Sequence, residues 1–119
     1  MNKLNRAAFV LVAVIFAATG MSQLAIAQEF DGLKITLCGT SSPIPAPGRA
    51  QACVAVETPE HLYIIDAGSG SAATANLSGV PMGKLRGILI THFHSDHISD
   101  IGDFNLNSWV AGRPEPLQI

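Results

Sequence analysis

Residues 92–97 read His92-Phe93-His94-Ser95-Asp96-His97 and place four metal-binding side chains within six positions, directly after the apolar run Gly87-Ile88-Leu89-Ile90-Thr91. Imidazole and carboxylate hold zinc or iron while leaving room for a water molecule. In extended chain, side chains two apart point the same way, so His92 and His94 can close on one ion. A turn after them lets Asp96 and His97 face a second ion. Two ions roughly 3.5–4 Å apart form the clamp that hydrolyses esters and phosphodiesters. A lone histidine beside an apolar strand is ordinarily a half-buried packing residue. Four such ligands at this spacing serve neither packing nor solubility, and the motif reads as a metal site.

The elements that must position this cluster are legible upstream and downstream. Leu33–Leu37 alternates apolar and polar residues and reads as a half-buried strand. Pro43, Pro45 and Pro47 make Gly39–Gly48 an ordered loop. Ala52–Glu57 and His61–Ile65 read as a second and a third strand, joined through Thr58-Pro59-Glu60 as a hairpin. His61 stands alone and reads as structural. Asp66-Ala67-Gly68-Ser69-Gly70 is a turn, with Ser69 or Ser71 capping a short helix over 72–77. It lacks the lysine and the spacing of a phosphate-binding loop. Asp66, at a strand end, can accept hydrogen bonds from a neighbouring loop or orient a metal-bound histidine. Gly87–Thr91 reads as a central strand buried on both faces. Ile98–Val110 reads as a helix with Ile98, Ile101, Phe104 and Trp109 on its apolar side, ended by Gly112 and Pro114. Asp100 and Asp103 on that helix read as solvated or capping. Early strand pairing with helices at the sheet edges is an α+β or layered α/β pattern.

The first 27 residues read as a secretory signal peptide: Lys3 and Arg6, an apolar run from Ala7 to Ala18, then Ala25-Ile26-Ala27 before Gln28. The alternative, an uncleaved anchor, is disfavoured because 12 apolar residues span only about 18 Å as a helix, short of a ~30 Å hydrocarbon core. Residues 28–119 then hold five basic against nine acidic side chains, a net charge of −4. A nucleic-acid binder normally shows a basic face, so the expected partner is a small-molecule ester, with no nucleic acid and, after signal cleavage, no membrane. Cys38 and Cys53 fall in the first two strands, where antiparallel pairing would bring them together. A disulfide and two small buried thiols are equally compatible with the sequence.

With these residues in view, the chain resembles the N-terminal half of a metallo-β-lactamase-fold hydrolase. His92-x-His94-x-Asp96-His97 matches that superfamily's signature, and Ile65-Asp66-Ala67-Gly68 matches its Asp-x-Gly turn. Leu37-Cys38-Gly39-Thr40-Ser41-Ser42-Pro43, followed by Arg49, is similar to the opening of the ribonuclease Z-like branch, from which Cys38 departs. The resemblance implies an αββα four-layer fold, of which residues 28–119 would be the first α/β half. It implies that His92 and His94 bind one zinc, and that Asp96 and His97 bind a second. Asp96 would also orient the attacking water as the catalytic carboxylate, and Asp66 would support the site without ligating. Iron or manganese would suit the same ligands.

The resemblance also implies three later ligands, a His, a bridging Asp and another His, yet no histidine follows His97 in the 22 remaining residues. The chain is therefore expected to be a truncated portion of the domain, incomplete as an enzyme. The complete protein is expected to be a periplasmic or secreted metal-dependent hydrolase of a phosphodiester or sulfate ester, as in arylsulfatase-like members of the branch. Two alternatives stand beside it: an inactive remnant that binds metal weakly, and an iron-dependent redox member of the same fold.

Overall fold

The computed structural model describes residues 30–119. The expected signal segment, residues 1–27, lies outside the described residues. Four strands form one sheet in the order β1-β2-β3-β4: Lys34–Gly39, Cys53–Glu57, Leu62–Ile65 and Leu85–Leu89. Among the described residues three helices accompany them: α1 (Ser71–Leu77), α2 (Ser95–Ile98) and α3 (Ile101–Val110), with a 3₁₀ turn at Met82–Lys84.

β1–β2 and β2–β3 pair antiparallel, and β3–β4 pair parallel. The β2–β3 hairpin closes through Thr58, whose N–H donates to the His61 carbonyl at 2.8 Å while its hydroxyl accepts the His61 N–H at 2.9 Å. A parallel neighbour cannot be reached by a tight turn, so the chain leaves β3 through Asp66–Gly70, runs along α1 and the 3₁₀ turn, and returns as β4. α1 packs on β1, and α3 packs on the 3₁₀ turn and on α1. The core lies between these helices and one sheet face: Cys38, Cys53, Ala55, Leu62, Ile64, Ala72, Ala75, Leu85, Ile88 and Phe104. Each fully buried Leu, Ile or Phe there contributes about 1.5–3 kcal/mol relative to exposure.

Cys38 and Cys53 are joined, resolving the alternative left open by the sequence. Their bond is buried with the core, closes a loop of sequence separation 15, and stabilises the fold by about 3 kcal/mol on the chain-entropy model.

The sheet faces are assigned otherwise than the alternation in β1 implies. Leu33, Ile35 and Leu37 are 69%, 56% and 65% exposed, while Cys38 on the opposite face is buried. In register with Ile35 and Leu37 lie Val56 and Val54, then Tyr63 and Ile65, then Gly87 and Leu89. Both sheet faces are therefore apolar, and the described helices cover the one carrying the smaller β1 side chains. Among the described strands β4 is correspondingly the last of the sheet, not a central one, and Leu89 is half exposed. Among the described residues its outer edge meets Gln118, whose carbonyl accepts the Ile88 N–H at 2.9 Å.

The helix expected over 98–110 is two helices, broken at Ser99-Asp100. Phe104 is buried as expected, but Trp109 is exposed. Among the described residues no helix is long and apolar enough to cross a membrane.

Candidate metal centre

The site is built where β3 and β4, parallel neighbours, end side by side. Asp66 terminates β3 with φ 59°, a left-handed conformation that Asp and Asn tolerate better than other non-glycine residues. Its N–H donates to the Leu89 carbonyl at 2.9 Å, tying the turn to the end of β4. Its carboxylate accepts three hydrogen bonds, each 2.8 Å: from the Thr91 N–H, the Thr91 hydroxyl and His97 Nδ1. Burial alone raises the Asp66 pKa, but the Thr91 N–H, His97 and the Thr91 hydroxyl together outweigh it and hold the carboxyl below its usual range.

An ionised carboxylate only accepts, which sets the tautomers around it. His97 carries a proton on Nδ1, which in the neutral ring leaves the lone pair on Nε2. The Thr91 hydroxyl spends its hydrogen on Asp66, so at 3.1 Å from His92 Nδ1 it accepts. His92 then likewise keeps its lone pair on Nε2. Asp66 thus orients both histidines, one directly and one through Thr91.

The four donors form two pairs. His92 Nε2 lies 3.2 Å from His94 Nδ1, and Asp96 Oδ2 lies 3.5 Å from His97 Nε2. Zinc bonds near 2.05 Å at tetrahedral angles place two ligand atoms roughly 3.3 Å apart, so both separations fit the edge of a zinc coordination shell. The pairs are adjacent, the His92 and His97 rings being 3.9 Å apart between centroids. Asp96 is buried, and its Oδ1 is one of only two buried side-chain polar atoms among the described residues without a hydrogen-bond partner. An unpaired buried carboxylate oxygen is costly, and a cation beside it removes that cost. The residues therefore fit divalent metal. Among the described residues no three or more His, Cys, Asp or Glu side chains surround one point; the donors come as the two pairs just described.

α2 begins immediately after His94, and this change from extended chain to helix separates the two pairs. Asp96 falls in its first turn, where the helix dipole favours a carboxylate. Two supports were not apparent from the sequence. Thr91 links Asp66 to His92, and the signal was a hydroxyl residue at the strand exit before the histidines. Gly68 packs so closely on α2 that a Cβ there would lie 2.1 Å from the Asp96 carbonyl oxygen. Asp100 is not solvated. It is buried and accepts the Ala72 N–H at 3.1 Å, capping α1 from a distant segment where Ser69 and Ser71 make no cap. Asp103 is exposed, and His61 lies away from the cluster, edge-on to Tyr63 at 6.3 Å.

Comparison with known proteins bears on this geometry. The model of the metallo-beta-lactamase superfamily matches residues 46–118. Ribonuclease Z of Mycobacterium marinum is 42% identical over 90 residues, covering 73% of this chain and 32% of that protein. Among solved structures, the metallo-beta-lactamase fold protein YhfI from Bacillus subtilis superposes with a TM-score of 0.61 at 27% identity, over 73% of this chain and 37% of that one. The short form of human tRNase Z superposes with a TM-score of 0.59 at 25% identity, over 64% of this chain and 29% of that one. The chain thus spans about a third of the length of the curated relatives it matches.

These relatives overturn the expectation of a small-molecule ester partner and no nucleic acid, since by name they are ribonucleases. The charge argument failed for two physical reasons. Glu57, Asp66, Asp96 and Asp100 are buried, so the net count exaggerates the acidity of the surface. A third of the relatives' length also samples too little surface to show where basic groups lie. The matching family model, the ribonuclease Z relatives and the shared fold agree, and this chain belongs to the metallo-beta-lactamase superfamily, a family of metal-dependent hydrolases.

Proposed function

We propose that the protein is a zinc-dependent phosphodiesterase acting on RNA, and that this chain supplies the first two donors to each of two ions. The observation that carries the reading is the adjacency of the two donor pairs, His92 with His94 and Asp96 with His97, at ligand-to-ligand separations. The ribonuclease Z relatives support RNA as the substrate class. When bound, divalent ions supply Lewis acidity to the scissile phosphodiester and an acidified water as nucleophile. The chain's own residues do the positioning. Asp66 keeps the protons of His97 and His92 on the Nδ1 side, so that both Nε2 atoms remain donors. Asp96 presents Oδ2 beside His97 Nε2, and its carboxylate would orient the attacking water.

We further propose that this chemistry takes place outside the cytoplasm. The buried Cys38–Cys53 bond supports that placement, because disulfides persist in oxidising compartments, and the amino-terminal segment reads as an export signal.

The test is to purify the intact protein, quantify bound metal, and assay cleavage of an RNA with a 3′ extension beside an aryl phosphodiester and an aryl sulfate. We expect about two zinc ions per protein, cleavage of the RNA, and loss of cleavage together with at least one ion in His92→Ala/His94→Ala. Metal-loaded protein that leaves RNA intact would refute the substrate class. Native protein that retains no divalent ion would refute the mechanism. Cell fractionation that finds the protein with cytoplasmic markers would refute the location.

A further inference from the structure

The 39–52 segment lies against the metal centre through an unbroken series of contacts. At its base, Cys38 and Cys53 are bonded, and Gly39 sits opposite Cys53 at a register shift. The stems touch there: a Cβ on Gly39 would lie 1.6 Å from the Gln51 carbonyl oxygen. Further out, the Thr40 and Ser41 N–H groups donate to the Ala50 carbonyl at 2.9 and 2.8 Å. The Gln51 side chain reaches both ways. Its Nε2 donates to the carbonyls of Ser42 at 3.3 Å and Pro43 at 3.2 Å, while its Oε1 accepts the Ser69 N–H at 3.2 Å. The backbone repeats the link, with Gln51 N–H on the Ser69 carbonyl at 3.0 Å and Gly68 N–H on the Ala52 carbonyl at 2.9 Å.

The far side of the same turn rests on the segment that carries Asp96 and His97. Ala67 N–H donates to the His97 carbonyl at 2.7 Å, Asp100 N–H donates to the Ala67 carbonyl at 2.8 Å, and Gly68 abuts the Asp96 carbonyl. Residues 67–69 are thus held between the 50–52 stem and α2. Neither Gln51 nor the disulfide touches a donor atom, so whatever they do for the site they do through this turn.

We propose that the Cys38–Cys53 bond and Gln51 are positioning elements for the Asp96–His97 donor pair. The bond sets the separation of the stems, and Gln51 transmits that placement across residues 67–69 to α2. The inference rests on the metal reading of the site given above. It makes the second donor pair dependent on a covalent bond formed only under oxidising conditions.

Two variants of the intact protein test it: Gln51→Met, which keeps length and disulfide but loses three hydrogen bonds, and Cys38→Ala/Cys53→Ala. Val80→Ala serves as a control, removing buried methyls from a residue outside the turn. The readouts are amide hydrogen exchange over residues 95–98 in metal-free protein, and zinc Kd by chelator competition. Removing the direct partner of a metal ligand typically costs 10–100-fold in affinity, so one layer further out we expect roughly three- to tenfold in each test variant, with faster exchange at 95–98.

The proposal is overturned if either variant keeps native exchange at 95–98 or a Kd within twofold of native, or if Val80→Ala moves both readouts equally. If the disulfide variant does not fold, Gln51→Met decides by the same two criteria. The exchange measurement needs no metal, so a native protein that binds none would refute the metal reading without being confused with loss of this coupling.

Discussion

Replacing Asp66 with Asn tests the site at its most connected atom. Asn tolerates the left-handed backbone that Asp66 adopts at φ 59°, so the substitution isolates the side chain. The amide oxygen can still accept the Thr91 N–H, but an NH₂ replaces Oδ2, which now accepts both the Thr91 hydroxyl and His97 Nδ1. Hydrogen bonds to a charged acceptor are each worth about 1.5–3 kcal/mol. Thr91 can rotate to accept from the new amide, and His97 can move its proton to Nε2, so we expect a net loss of about 1–3 kcal/mol in stability. The proton shift matters more for function, because it blocks the Nε2 donor. Zinc affinity should fall about 10–100-fold. In a His97→Ala background the same substitution should cost less affinity, since only the route through Thr91 to His92 then remains.

Chelator competition on the four proteins of this cycle gives the answer. A Kd for Asp66→Asn within twofold of native, or an equal penalty with and without His97, would refute the reasoning. The pH dependence supplies a second check. The folded-state pKa of Asp66 is depressed, so its stabilisation is present above the unfolded value of about 3.9 and is lost as pH falls through the folded one. The gap in urea midpoint between native and Asp66→Asn should be full at neutral pH and should close in acid. A gap that widened in acid would contradict the assigned hydrogen bonds.

Three further expectations follow from particular contacts. Gly68→Ala places a methyl 2.1 Å from the Asp96 carbonyl oxygen and should shift α2, lowering stability by at least about 3 kcal/mol and abolishing tight zinc binding; native-like metal titration would contradict this packing. Asp100→Ala removes the cap that α1 receives from outside itself and should cost about 1–2 kcal/mol by denaturant unfolding. Residues 30–119 made alone should bind an apolar dye through Ile35, Leu37, Tyr63, Ile65 and Leu89, which share one uncovered sheet face. Ile35→Lys/Leu37→Lys should reduce that binding, and unchanged dye fluorescence would place the apolar surface elsewhere.

The centre was legible in the chain where chemistry depends on local spacing. Four ligands in six residues, an extended run before them and a turn after the first two were enough to divide the donors into pairs, because side-chain direction along a strand is set over a few residues; that the turn is the start of a helix at Ser95 was not read. The strands, the β2–β3 hairpin and the place of Asp66 at a strand end were readable for the same reason. What could not be read was which side of each element would be covered. Leu33, Ile35 and Leu37 alternate as a core-facing stripe does, yet the helices took the side of Cys38, and the larger side chains remain exposed. Binary pattern marks a face as apolar but does not name its partner. Asp100 offered no cue that it would cap a helix 28 residues earlier in the chain, nor Gln51 that it would bridge to Ser69. Such polar contacts depend on where segments distant in sequence come to rest. The substrate class was misread on the same account: charge can be counted along a chain, but recognition depends on which charges are buried and where the rest lie on a surface.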